Sequence, residues 1–232
     1  MFKEKGSYTY PFPRPSVTSD CVIFGYDGKD LKVLLVERGI PPFKGMWAFP
    51  GGYLQMAETA LECAKRELKE ETGLDESYME QFETFSAVDR DPRGRVITIA
   101  HLALVRISDV QAGDDAAKAQ WFPVGSVPQL AFDHDMILRE AIKTLRQKIH
   151  FEPVGFELLP ETFTMPQLQN LYESILDVRF DRRNFSSKML HLGILEDTGD
   201  RPANAPSRIP ATYRFNKDSY DQLKSKGFRL EF

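Results

Sequence analysis

The sequence predicts an α/β chain in two parts, a sandwich of strands and helices that closes near residue 150 and a small winged helix-turn-helix domain behind it. Three observations lead there. Strand-like runs alternate with two amphipathic helical stretches up to about residue 150, the pattern of a layered α/β core. Residues 52–74, GYLQMAETALECAKRELKEETGL, contain one helical stretch, about 59–72, whose carboxylates recur at helix spacing. Residues 151–232, enough for a further small domain, hold two short helical stretches joined by a tight turn.

Composition sets bounds on function. The 232 residues are 42% hydrophobic and 28% charged with a formal net charge of -4, ordinary for a folded chain that can bury a sizeable core. No apolar run approaches about 18 residues and the N-terminus has no apolar segment behind its charges, so the expectation is a cytoplasmic protein with no membrane partner. The two cysteines, Cys21 and Cys63, fall inside a predicted strand and a predicted helix. They read as buried free thiols and exclude a disulfide framework or a thiolate metal site.

In chain order, residues 1–15 place aromatic residues among Pro11, Pro13 and Pro15 and read as an extended arm. Residues 17–26 and 31–37 are β-rich runs around Asp27-Gly28-Lys29-Asp30, a hairpin signal, with Arg38 at the end of the second strand. A loop containing Pro41-Pro42 leads to MWAFPGG, whose paired glycines allow a sharp turn or a close approach of backbone to ligand. Residues 59–72 then have good helix formers, no internal Gly or Pro, a Thr able to cap the start and Gly73 to end it. On that helix Leu61, Ala64 and Leu68 make an apolar stripe, while Glu67, Glu70 and Glu71 converge on a neighbouring face. Like charges at these spacings cost roughly 0.2–0.5 kcal/mol per pair, which a bound cation would reverse; hard oxygen ligands suit Mg²⁺ or Mn²⁺. The plain alternative is a solvated acidic face, with Glu62 and Arg66 paired and Lys65 and Lys69 diluting the charge.

Residues 83–88 and 96–107 alternate like strands around DRDPRGR, which gathers Arg90, Arg93 and Arg95 either as phosphate forks or as a solvated hairpin tip. Residues 120–123 make a short strand reached through Gly113-Asp114-Asp115, and residues 133–148 an amphipathic helix with Met136, Ile137, Ala141 and Leu145 apolar.

Residues 52–74 resemble the Nudix box, G-x5-E-x7-R-E-U-x-E-E-x-G-U with U aliphatic, and depart from it nowhere. The wider resemblance covers about residues 16–150 and includes LLVERG, DPRGR, GDDAAKAQWFPV and LAFDHD, as in the ADP-ribose-type pyrophosphatase branch. It implies an α/β/α sandwich with a mixed sheet and Mg²⁺- or Mn²⁺-dependent hydrolysis of a diphosphate joined to a nucleoside or sugar. Glu67, Glu70, Glu71 and Gly52 would be metal ligands, and Glu67 and Glu70 catalytic, with one box glutamate or a loop carboxylate as general base. Arg66 would orient a box glutamate, and Glu58 would support the loop. Arg38, Arg93 and Arg95 are candidates for phosphate or ribose contacts.

In the tail, Thr164 caps a helix with Pro166 in its first turn and Leu168, Leu171, Tyr172 and Ile175 as its stripe. After a short connector, residues 181–193 give a second helix, apolar at Phe185, Met189 and Leu192. Arg182, Arg183, Asn184, Ser187 and Lys188 lie on its other face, where a recognition helix reads DNA. A strand, a Gly/Pro-rich loop and the strand 211–215 follow as a wing. Residues 179–229 carry eleven Lys or Arg against six Asp or Glu, a basic balance in an acidic chain. RFDRRNFSSKMLHLGIL resembles the winged-helix end of Nudix-related transcriptional regulators, which implies double-stranded DNA as partner and a homodimer. The competing expectation is a hydrolase whose tail only dimerises. The intact box argues against a purely sensory domain, although turnover is weak where the role is mainly regulatory.

Overall fold

The computed structural model describes residues 10–74, 78–107, 116–199 and 210–227. Strands β1 (Ser16–Tyr26) and β2 (Leu31–Arg38) form the expected antiparallel hairpin, with Tyr26 opposite Leu31. Two short pieces follow, β3 (Trp47–Ala48) on β2 and β4 (Gly51–Tyr53) on the first half of β1. Helix α1 (Ala60–Thr72) leads to β5 (Tyr78–Phe85), β6 (Val96–Leu104) and β7 (Ala116–Pro123), then to α2 (His134–Ile149). β1 and β6 run parallel over nine paired positions from Ser16↔Val96 to Phe24↔Leu104, whereas the other pairings are antiparallel, so the sheet is mixed.

Local chemistry sets the ends of α1. Thr59 accepts from the Glu62 N–H and Glu62 reaches back to the Thr59 N–H, a reciprocal cap, and Gly73 closes the helix at φ 73°. Its buried face is Cys63, Ala64, Glu67, Leu68 and Thr72; Leu61, read as part of the stripe, is 39% exposed because the contact face is centred one residue pair further on. Met136 likewise points outward from α2, whose buried stripe is Ile137, Leu138, Ala141, Leu145 and Ile149.

The strand expected at 83–88 lies earlier, at β5. Glu80, Gln81 and Glu83 hide its periodicity, a register shift falls between Gln81 and Glu83, and Val88 is 77% exposed beyond its end. Most of the N-terminal arm, the Gly113-Asp114-Asp115 approach and the centre of the wing lie outside the described residues.

The tail contains β8 (Phe163–Thr164), α3 (Met165–Leu176), α4 (Arg182–His191), β9 (Leu195–Asp197), β10 (Thr212–Phe215) and α5 (Lys217–Ser225), of which β8 and α5 have no counterpart in the sequence reading. β10 pairs with both β8 and β9. Thr164 and Gln167 make a second reciprocal cap, and Leu168, Leu171, Tyr172 and Ile175 are fully buried. Asp181 caps α4 by accepting from the Arg183 and Asn184 N–H groups. The helix-turn-helix and its wing strands therefore form as the residues predict.

One apolar cluster runs from Val22 and Phe24 of β1 through Ile137 and Leu145 of α2 to Leu168 of α3, Phe185 of α4 and Ile194. Arg146 Nε donates to the Ile175 carbonyl at 2.8 Å and Arg106 Nε to the Leu159 carbonyl at 2.9 Å, so the tail is docked on the sandwich by polar as well as apolar contacts. Cys21 and Cys63 are both buried free thiols. Among the described residues no helix is long and apolar enough to cross a membrane.

Candidate active site and nucleic-acid face

A cleft of about 310 Å³ opens where α1, β4, the end of β2 and the turns at Arg90–Arg93 and Phe132–His134 meet. Glu67, Glu70 and Glu71 line one wall with Arg66, and Gly51 and Gly52 form its floor. The glycine pair is sterically required. A Cβ on Gly52 would stand 2.0 Å from Glu67 Oε1, and one on Gly51 would stand 2.4 Å from Asp20 Oδ1. The Gly51 N–H donates to Glu71 Oε2 at 3.1 Å, which fixes one wall carboxylate against the floor.

Arg66 is the hub. Its Nε and one terminal nitrogen donate to the two oxygens of Glu58 at 3.0 and 2.7 Å, and its other terminal nitrogen donates to Glu67 at 2.6 Å and Glu70 at 3.0 Å. Glu58 also accepts from the Gln55 N–H at 2.8 Å and so pins the loop before α1. These bonds hold the Glu58 carboxyl down at about 2, and three carboxylates around Arg66 hold its guanidinium firmly charged. Glu67 goes the other way: burial raises its pKa, with Arg66 opposing. Cys63, beneath the floor, is pushed up to about 12 by burial and is an inert thiol.

The donor set fits a hard divalent cation: carboxylate oxygens on one helix face, beside backbone brought close by two glycines. Among the described residues, however, no three such side chains are gathered tightly enough to form a ready ligand cluster. The convergence expected of Glu67, Glu70 and Glu71 is thus to one wall and not to one point, because Arg66 draws Glu67 and Glu70 toward itself.

The arginines divide. Arg38 lines the cleft, donates from Nε to the Pro42 carbonyl at 2.8 Å and stacks 4.8 Å from the Phe132 ring. Arg93 also lines it, held by Asp91 at 2.7 Å and lying 5.4 Å from the rings of both Tyr53 and Phe132. Arg95 does not line it: its side chain donates to the Ala87 carbonyl at 3.0 Å, on the outer side of the same turn. Arg90 borders the cleft as a buried strut, with two bonds to Asp133 at 2.7 and 2.9 Å and Asp20 at 3.6 Å.

Sequence reasoning gave no role to Asp20, Tyr53, Phe132 or His134. His134 is buried, its Nδ1 accepts from the Phe49 N–H at 3.0 Å and its ring stacks on Phe49, so it positions the strand leading into the glycines. Burial lowers its pKa, which keeps it neutral, with the proton on the nitrogen that faces Asp20 at 3.9 Å. Phe132 has φ 54°, a strained backbone for a bulky residue, and strain of this kind clusters at ligand sites. The available signals were polar Ser19-Asp20 inside an apolar strand and the LAFDHD run, whose charges sit among residues that read as core.

On the tail, Arg182, Arg183, Asn184 and Ser187 are exposed on α4 while Phe185 and Met189 are buried beneath them; Lys188 is half-buried. Among the described residues neither Arg182 nor Arg183 makes a side-chain hydrogen bond or ion pair, so both are free for an outside partner.

Comparison with known proteins agrees with this division. Residues 14–145 match the NUDIX domain, and residues 155–215 match the NrtR DNA-binding winged helix domain. An ADPR responsive transcriptional repressor NtrR of Acinetobacter baylyi is 34% identical over 215 residues, spanning 90% of this chain and 86% of that protein. An ADP-ribose pyrophosphatase of Methanocaldococcus jannaschii is 42% identical over 129 residues, 56% of this chain and 74% of the relative. Shewanella oneidensis NrtR complexed with a 27mer DNA superposes with a TM-score of 0.74 at 30% identity, covering 92% of this chain and 97% of that one. Its NUDIX domain complexed with ADP ribose superposes with a TM-score of 0.56 at 33% identity, covering 59% and 94%.

Proposed function

Because this chain belongs to the Nudix family and ends in the winged helix domain of NrtR, we propose that it is an ADP-ribose-responsive transcriptional repressor whose Nudix domain can also hydrolyse its ligand. The observation that carries the reading is the joining, in one docked structure, of an intact box wall to a helix with free arginines. In this reading residues 1–15 are an arm, 16–150 the ligand-handling domain and 151–232 the DNA-binding domain, and the working form is a homodimer matched to a two-fold operator.

The ligand is ADP-ribose or a related nucleoside diphosphate sugar. Arg38 and Arg93 clamp its phosphates, and the Phe132 and Tyr53 rings beside them border the space for its flat or sugar parts. Glu67, Glu70 and Glu71, with the Gly52 carbonyl, would hold Mg²⁺ or Mn²⁺, which supplies charge neutralisation on the diphosphate and a more acidic water. Arg66, bonded to both Glu67 and Glu70, orients these two carboxylates, and one box glutamate or a loop carboxylate would act as general base. Glu58 keeps Arg66 in place and does not reach the cleft itself. On α4, Arg182, Arg183, Asn184, Ser187 and Lys188 face DNA.

A Mg²⁺-dependent assay on ADP-ribose with wild type and Glu70→Gln tests the first half, expecting turnover that falls by at least about tenfold in the variant. A gel shift on DNA upstream of the chain's own operon tests the second. Loss of binding in Arg182→Ala/Arg183→Ala supports it, and a wild type that binds no duplex rejects it.

A further inference from the structure

A second groove in the described structure is larger than the cleft at the box. It lies between α2 and α3, has a volume of about 1360 Å³, and is bordered by the hairpin turn at Lys29 and the α3–α4 turn at Arg179. Arg139, Lys143, Arg146 and His150 of α2 line it at i, i+4, i+7 and i+11, hence along one helix face. The apolar stripe of α2 turns to the core and Lys148 pairs with Glu80 of β5 at 2.7 Å, while this row, with Ile142 and Gln147, borders the groove.

We propose that this groove is a second DNA-contacting surface, on which the sugar–phosphate backbone flanking the operator lies, so that the Nudix domain itself grips DNA. The proposal rests on the DNA-binding reading above and extends it to residues outside the winged helix. Charge favours it. Five Lys or Arg line the groove against three carboxylates; Lys29 pairs with Asp30 at 3.7 Å, Arg179 with Glu173 at 2.6 Å and Lys143 with Glu140 at 2.9 Å, which leaves Arg139 and Arg146 as the cations without an ion pair among the described residues. Among the described residues Arg139 makes no hydrogen bond or ion pair, and Arg146 uses only Nε, on the Ile175 carbonyl at 2.8 Å. That same bond holds the two walls together, so the cations are presented on a fixed surface.

Position favours it too. Arg179 lies in the groove and Arg182 opens α4 three residues later, so the row on α2 continues into the free arginines of the recognition helix. From Arg139 to His150 the helix rises about 16 Å at 1.5 Å per residue. That length spans about five phosphates of one strand, which lie about 3.4 Å apart along the duplex axis. A compact anion would instead need cations converging on one point.

The test uses the full chain and the Arg139→Gln/Lys143→Gln variant, two exposed positions away from the cleft. Affinity for upstream operon DNA is measured between about 50 and 200 mM salt, on an operator-core duplex and on one extended by about 10 base pairs at each end. Wild type should bind the longer duplex more tightly. The variant should lose that gain, and its slope of log affinity against log salt should fall by up to about 3.6, two phosphate contacts in each of two protomers, with ADP-ribose binding unchanged. A variant that keeps both the slope and the length dependence overturns the proposal while the regulator reading stands. A wild type that binds neither duplex overturns both, and gain of an inorganic tripolyphosphate site with no length dependence overturns the DNA assignment.

Discussion

Gly52 shows how much a site depends on an atom that is missing. With a Cβ 2.0 Å from Glu67 Oε1, Gly52→Ala forces the buried carboxylate off the wall while leaving α1 capped and packed. We expect ADP-ribose turnover to fall at least about tenfold with little change in far-UV circular dichroism; unchanged turnover would show that Glu67 need not hold this position. Arg66 sets the acid response. Glu58 titrates near about 2 in the folded chain against an ordinary 4.5, so the stabilisation it brings is whole above 4.5 and is lost as pH falls through about 2. Melting temperatures at pH 5 and pH 3 should therefore differ less for Glu58→Gln than for wild type. The residues named from sequence were those with a spacing rule behind them. Arg90 and Arg95 shared a loop with Arg93, but only coordinates tell that Asp133 claims one and the Ala87 carbonyl the other. Asp20 and His134 meet although they lie 114 positions apart in the chain, a long-range pairing that no local pattern encodes.

Helices were legible because their ends carry their own chemistry. Thr59 with Glu62 and Thr164 with Gln167 mark two starts, and Gly73 and Asp177 take left-handed conformations at the stops. Thr164→Ala removes one such cap and should destabilise the chain by about 1 kcal/mol in denaturant titration, with no effect on ligand binding. Strands were less legible where solvent faces one side: β5 alternates glutamates with aromatics around a bulge, and two-residue β8 pairs with a strand some fifty positions away. α5 was missed because its stripe is only Tyr220 and Leu223, packed against the edge of a core that other elements build. Which face of a helix is buried was read to within one residue. That small error still put Leu61 and Met136 in the core when both are outside it.

At the scale of the molecule, the continuous apolar cluster from β1 to α4 makes the two halves one cooperative unit. Calorimetry should show a single transition, and Leu168→Ala, at a fully buried position, should lower the stability of the whole by about 2–5 kcal/mol; two separated transitions would contradict this. Such docking gives ligand binding at the cleft a route to the DNA face, because α2 begins at the cleft with His134 and holds α3 through Arg146. The route matters only if ADP-ribose prefers one arrangement of the two halves over another. The most direct measurement is the affinity of the chain for its operator with and without saturating ADP-ribose, using Glu70→Gln so that the ligand persists. The account predicts a shift of at least about fivefold, within the usual span of coupling between two sites. Identical affinities under both conditions would contradict it.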